Sequence, residues 1–166
     1  MNPAFLIFFL SLFLCISCDS STQSTQKLHT PAFLIVKKVV DGDTFWADDG
    51  SPKGIKVRLI GIDAPESRKS FKKEVGIYGK ESKAYLTQLL KGKKVRLVYD
   101  VNLKDQYGRT LAYVYLEDGT FVNAEIIKNG FATILTIPPN VKFADYFYKL
   151  QQKARESKKG LWKVSP

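Results

Sequence analysis

Three short runs of β-branched and aromatic residues follow one another almost without pause: FLIVKKVV at 33–40, TFWA at 44–47 and GIKVRLIGI at 54–62. Each is bounded by Asp/Gly or Ser/Pro punctuation, the chemistry of tight turns between strands. Strands joined by links this short can only pair antiparallel, so the pattern predicts a meander. The period then changes. In YGKESKAYLTQLL at 78–90, Tyr78, Tyr85, Leu86 and Leu89 recur at helical offsets and Gly92 supplies a stop. Alternation returns at 93–101, with Val95, Leu97, Tyr99 and Val101 on one face, and at 109–116, before the turn EDGT. Five strands with a helix after the third predict an α+β, mainly β fold: a five-stranded, partly open barrel of the OB type. Two further helices are expected at 122–129, stopped by Gly130, and at 141–158, the latter burying Phe143, Phe147, Leu150 and Ala154.

The 166 residues divide into three expected regions. Residues 1–18, MNPAFLIFFLSLFLCISC, carry no Lys, Arg, Asp or Glu and read as a signal peptide, because the apolar stretch is too short for a membrane span of about 20 residues. CISC followed by DSSTQSTQ resembles a relaxed lipoprotein signal with Cys18 as the lipidated residue; ordinary cleavage and free secretion is the alternative. Residues 19–31 read as a flexible tether, and 32–166 as one folded domain.

Composition removes several chemistries. Both cysteines, Cys15 and Cys18, lie in the leader, so the domain has no disulfide and no thiol nucleophile. The only histidine, His29, lies in the tether, which excludes a Ser-His-Asp relay and a histidine-rich zinc site. Carboxylates, arginines and a hard metal remain. The net charge of +10 falls on the residues after the leader and points to a polyanionic partner, nucleic acid or an anionic membrane surface.

Three segments carry the remaining chemistry. VVDGDTFW sets Asp41 and Asp43 around Gly42, in what is by itself an ordinary hairpin turn. In VRLIGIDAPE, Val57 and Leu59 share one strand face and Arg58 takes the other. Asp63 and Glu66 then flank Ala64, whose backbone Pro65 restricts to extended geometry. Asp43, Asp63 and the Ala64 carbonyl form an all-oxygen donor set suited to Ca²⁺. In DQYGRT, Arg109 opens a strand, and with Arg58 it could clamp a phosphate through two guanidinium forks. The lysines of SRKSFKKE at 67–74 could follow a phosphate backbone, although a solvated loop reads almost as well. The basic residues Lys149, Lys153, Arg155, Lys158 and Lys159 read as a solvated helix face.

DGDT, VRLIGIDAPE, YGKES and DQYGR, in this order and spacing, resemble the staphylococcal nuclease family over about residues 33–162. The resemblance implies an OB-barrel with three helices and Ca²⁺-dependent hydrolysis of DNA and RNA to 3′-phosphate products. It makes Asp43 and Asp63 the metal carboxylates with the Ala64 carbonyl beside them, and Arg58 and Arg109 the phosphate and transition-state ligands. Glu66 becomes the residue that positions or deprotonates water, Tyr107 a base or sugar contact, and Asp41 a supporting residue of the turn. The best-known member has Thr at the position of Ala64, and two tyrosines near the nucleotide where ATILTIPPN at 132–140 has none. A monomer is expected, tethered to a membrane or secreted. The competing reading is a catalytically inactive OB-fold lipoprotein that binds nucleic acid; it accounts poorly for the retention of all five acids and arginines.

Overall fold

The computed structural model describes residues 32–69 and 75–164. The leader with Cys18, the tether with His29, and residues 70–74 of the lysine-rich 67–74 segment lie outside the described residues.

The elements run in the order β1 (Leu34–Asp41), β2 (Thr44–Asp48), β3 (Ile55–Leu59), β4 (Gly61–Asp63), α1 (Gly79–Leu90), β5 (Lys94–Val98), β6 (Thr110–Leu116), α2 (Val122–Lys128), β7 (Thr133–Leu135) and α3 (Ala144–Glu156), with a closing 3₁₀ turn at Gly160–Val164. Strands β1, β2 and β3 form the expected antiparallel meander. The barrel closes in the order β1-β2-β3-β6-β5, with β3 and β6 parallel and β5 returning to β1. The expectation of a partly open barrel is thereby corrected: Leu34 pairs with Val95 and Ile35 with Lys94, and these two pairs seal the seam.

Inward alternation fills the barrel with Phe45, Ala47, Val57, Leu59, Val95, Ala112 and Val114, all buried. Tyr113 faces the other way, into the helical layer, where its ring meets Phe143 edge-on at 4.6 Å and its hydroxyl donates to Asp100 Oδ2 at 3.0 Å. Helix α3 buries Phe147 and Ala154 as its periodicity predicts, with Phe143 and Leu150 half-buried beside them.

Two strand expectations change. The 54–62 run divides because Gly61 adopts a left-handed φ of +80°, a conformation that side chains with a Cβ rarely tolerate. The chain bends there, and β4 leaves the barrel to pair with β7, Asp63 opposite Thr133. The second alternating run stops pairing at Val98, so Tyr99 and Val101 are exposed rather than on a buried face. Alternation records which face is apolar; it does not record where a partner strand ends.

The bend is pinned by Asn123. Its side chain is fully buried, donating to the Ile60 carbonyl at 2.9 Å and accepting the Val114 N–H at 2.9 Å. One amide thus ties the start of α2 to β6 and to the turn that aims Asp63. None of the helices among the described residues is long and apolar enough to cross a membrane.

Candidate active site

The β1–β2 hairpin delivers Asp43. Asp41 pairs with Thr44, leaving Gly42 and Asp43 as the two turn residues. The turn presses into the protein: a Cβ at Gly42 would lie 2.7 Å from the Cβ atoms of both Ala64 and Ser82. Only a glycine backbone lets the hairpin come this close, and the approach lets Asp43 Oδ2 accept the Ala64 N–H at 2.8 Å. Thr44 Oγ1 donates to Asp43 Oδ1 at 2.8 Å, so both carboxylate oxygens are engaged.

Arg58 follows from the register. It pairs with Thr44 on one side and with Leu111 on the other. Its side chain leaves the barrel as alternation predicts, yet it is only 9% exposed, because two carboxylates close over it. Nη1 lies 2.5 Å from Asp43 Oδ2 and Nη2 lies 2.8 Å from Asp63 Oδ1. The Nη1 contact is an ion pair without hydrogen-bond alignment. Asp43 is the buried partner, whereas the Asp63 side chain is 48% exposed and opens the group to solvent.

Burial pushes the Asp43 carboxyl above the usual carboxylate range, further than the Arg58 guanidinium and the hydrogen bonds from Ala64 and Thr44 pull it down. The single guanidinium, shared between two carboxylates, leaves the site short of positive charge. Two convergent carboxylates, one desolvated and one reachable from water, with the Ala64 carbonyl next along the chain from Asp63, suit a hard divalent cation. Among the described residues no three Asp, Glu, His or Cys side chains form a metal cluster, so a cation here would need backbone and water oxygens as well.

Asp41 braces the turn from the other side. Its Oδ1 accepts the Ser67 hydroxyl and, at 3.4 Å, the Ser67 N–H. The residue after Glu66 is thereby tied to the hairpin, while the Glu66 carbonyl accepts the Gly76 N–H at 3.0 Å. Glu66 itself is half-buried on a backbone held from both sides.

Arg109 stands two residues before Leu111, the register partner of Arg58, so both arginines reach the same side of the sheet. Together they line a cleft of about 430 Å³, shared with Lys104, Tyr107, Ile137 and Pro138. Tyr107 is 75% exposed, and the Arg109 guanidinium lies 5.4 Å from its ring centre. Leu135, Ile137 and Pro138 give the cleft an aliphatic wall along the segment that lacks tyrosine. Asp43, Asp63, Ala64 and Glu66 are not among the lining residues; Arg58 is the one residue common to the acidic group and the cleft.

Asp105 is the residue that sequence reasoning missed. It accepts the N–H groups of Tyr107 at 2.9 Å and Arg109 at 3.0 Å through Oδ1, and the Arg109 Nε–H at 2.5 Å through Oδ2. Burial pushes its carboxyl up, but these hydrogen bonds and the Arg109 charge outweigh that and hold it below the ordinary value. An Asp three residues before a turn glycine, in DQYG, is an available signal of such a loop-closing carboxylate.

Residues 56–164 match the family described as "Staphylococcal nuclease homologue". The chain is 41% identical over 129 residues to a thermonuclease of Staphylococcus intermedius, covering 77% of this chain and 74% of that one. It is 41% identical over 128 residues to a thermonuclease of Staphylococcus hyicus, covering 76% and 73%. It is also 36% identical over 135 residues to Endonuclease YhcR of Bacillus subtilis (strain 168), covering 77% of this chain and 11% of that much longer one.

Proposed function

The chain belongs to the staphylococcal nuclease family, and from that membership and its site geometry we propose that it is a calcium-dependent nuclease hydrolysing the phosphodiester bonds of DNA and RNA to 3′-phosphate products. One observation carries the reading: Asp43 and Asp63 converge on Arg58, and Arg58 shares a single cleft with Arg109.

Attack of water on a phosphodiester adds negative charge to the nonbridging oxygens. Arg58 and Arg109 can each offer a planar fork of N–H donors to those oxygens, and each is aimed in advance by a carboxylate. Asp43, Asp63 and the Ala64 carbonyl would hold calcium, which when bound supplies Lewis-acid stabilisation of the same developing charge. Glu66 orients the attacking water or takes its proton; with no histidine among residues 30–166, a carboxylate is the available group. Tyr107 offers its ring to a base or sugar. The protein works as a monomer, and its leader delivers it to the cell envelope through a lipid on Cys18 or releases it. Labelling with a radioactive fatty acid distinguishes the two fates: label retained in the wild type and lost in Cys18→Ser assigns the anchor.

Product ends test the chemistry. Fragments of single-stranded DNA and of RNA formed in calcium should carry 5′-hydroxyls that polynucleotide kinase labels without prior phosphatase. Fragments that require phosphatase first would overturn the assignment of 3′-phosphate products, and intact strands would overturn nuclease activity.

A further inference from the structure

Between β7 and α3 the chain inverts the usual rule of burial. Leu135, Thr136, Ile137, Pro138 and Pro139 are all exposed, and the buried side chain that follows them is an amide, Asn140, at 5% exposure. A buried polar group among exposed, mostly apolar neighbours calls for a specific partner. Asn140 finds it in one residue: its Oδ1 accepts the Asn102 N–H at 2.8 Å and its Nδ2 donates to the Asn102 carbonyl at 2.9 Å. The side-chain amide thereby does for Asn102 what a neighbouring strand would do, beyond the point where β5 ends at Val98.

Asn102 and Asn140 both line the Arg58–Arg109 cleft, and their two bonds join its walls. One wall is the 103–111 hairpin with Lys104, Tyr107 and Arg109. It is closed by its own bonds, from the Leu111 N–H to the Leu103 carbonyl at 2.9 Å and from the Asp105 N–H to the Arg109 carbonyl at 3.1 Å. The other is the aliphatic wall of Leu135, Ile137 and Pro138. That wall leaves the sheet at Leu135, the last residue of β7 to pair with β4, and turns where the Asn140 N–H meets the Ile137 carbonyl at 3.1 Å. Asn140 ends this turn, so its clip to Asn102 fixes how close Ile137 and Pro138 stand to the hairpin. Asp100 adds a second tie outside the cleft lining, accepting the Lys142 N–H at 3.2 Å. Arg58 and Arg109 are fixed by other means, the first by the β3 ladders and its two carboxylates, the second by Asp105.

We propose that Asn140 is a positioning residue for substrate: it holds the aliphatic wall at the spacing that grips the sugar and base of the nucleotide whose phosphate the two arginines take. The proposal rests on the nucleic-acid substrate assigned above and adds to it the residue that sets the width of the cleft. The side chains of Leu135, Ile137 and Pro138 carry no hydrogen-bond donor or acceptor, so the wall grips a nucleoside without reading its base. Because the arginines do not depend on the clip, loosening the wall weakens the bound substrate and the transition state alike, which raises KM and spares kcat.

The test compares wild type, Asn140→Ala, Asn140→Asp and Ala154→Gly, the last a buried α3 position where glycine lowers stability away from the cleft. Binding of a fluorescent single-stranded trinucleotide is read by anisotropy in excess EGTA, and KM and kcat for single-stranded DNA are read in calcium at mildly alkaline pH. Asn140→Ala should bind about tenfold more weakly, with KM about tenfold higher and kcat within about twofold of wild type, the scale of loosening one base contact. Asn140→Asp keeps the acceptor for the Asn102 N–H but, ionised, sets a negative oxygen against the Asn102 carbonyl. It should bind as weakly as Asn140→Ala at alkaline pH and recover toward wild type, measured at the same pH, as acid protonates the introduced carboxyl and restores a donor. Wild-type affinity and KM in Asn140→Ala, or in ionised Asn140→Asp where the alanine variant does not fold, would overturn the proposal. So would an equal loss in Ala154→Gly, which would trace to general destabilisation, or a fall in kcat at unchanged KM, which would place Asn140 behind the arginines instead. A wild type that binds the strand without cutting it, with binding weakened in Asn140→Ala, upholds the clip and removes the hydrolytic reading; a wild type that binds no strand overturns both.

Discussion

At the scale of single residues, the site is organised by carboxylates that hold arginines. Asp105 closes the loop at 105–109 and grips Arg109, while Asp43 and Asp63 grip Arg58 from two sides. Arg109→Ala should lower kcat on single-stranded DNA by at least about 10²-fold, the scale of losing one preorganised transition-state donor. Its unfolding midpoint should stay close to the wild type, since the side chain lies at the cleft rather than in the core; unchanged turnover would remove Arg109 from the chemistry. Asp105→Asn keeps the loop-closing acceptor but removes the charge that orients Arg109, so kcat should fall by roughly tenfold. Equal kcat in Asp105→Asn and wild type would show that Arg109 needs no such guide. Arg58→Lys retains a cation between Asp43 and Asp63 but loses the second donor direction, and kcat should drop about 10²-fold. Full activity in that variant would contradict a two-pronged role. Arg58 itself was legible from strand alternation as an outward residue, whereas its burial was not. That burial comes from Asp43 and Asp63, brought in by two separate turns, and alternation within one strand carries no trace of them.

At the scale of elements, the decisive contact is a turn against a turn. The Asp41–Thr44 hairpin reads plainly in the sequence as Asp-Gly punctuation between apolar runs, and the paired strands follow it. Why the turn must contain glycine emerges only in three dimensions, where Gly42 packs between Ala64 and Ser82. Gly42→Ala should destabilise the fold by about 1–3 kcal/mol through overpacking. The same clash pushes on Ala64, so calcium affinity measured by titration calorimetry should fall too. Wild-type stability together with wild-type calcium affinity would show that the hairpin does not set the metal position. The β4–β7 pair stayed hidden for a different reason: three-residue strands are too short to alternate visibly, and Gly61 and Leu135 are far apart in the chain. Asn123 escaped notice likewise, because a buried amide is recognised by its partners, Ile60 and Val114, and both lie outside its own helix.

At the scale of the molecule, a closed barrel carries two kinds of surface. One holds Arg58, Arg109 and the acidic pair; the other is the lysine-bearing outer surface, of which Lys80, Lys83 and Lys91 on α1 are part. The +10 charge predicted a polyanion partner without saying where it binds, since charge counts have no geometry. The fold class was readable because each barrel strand is apolar on its inner face, and the family motifs fall at strand ends and turns, where residues from distant segments meet. The central claim is that these residues form a calcium-dependent hydrolytic site. The most direct test incubates the purified protein with single-stranded DNA at mildly alkaline pH in millimolar calcium and, in parallel, in excess EGTA. Progressive cleavage in calcium and an intact strand in EGTA are expected; an intact strand in calcium, or equal cleavage in both, would contradict the account.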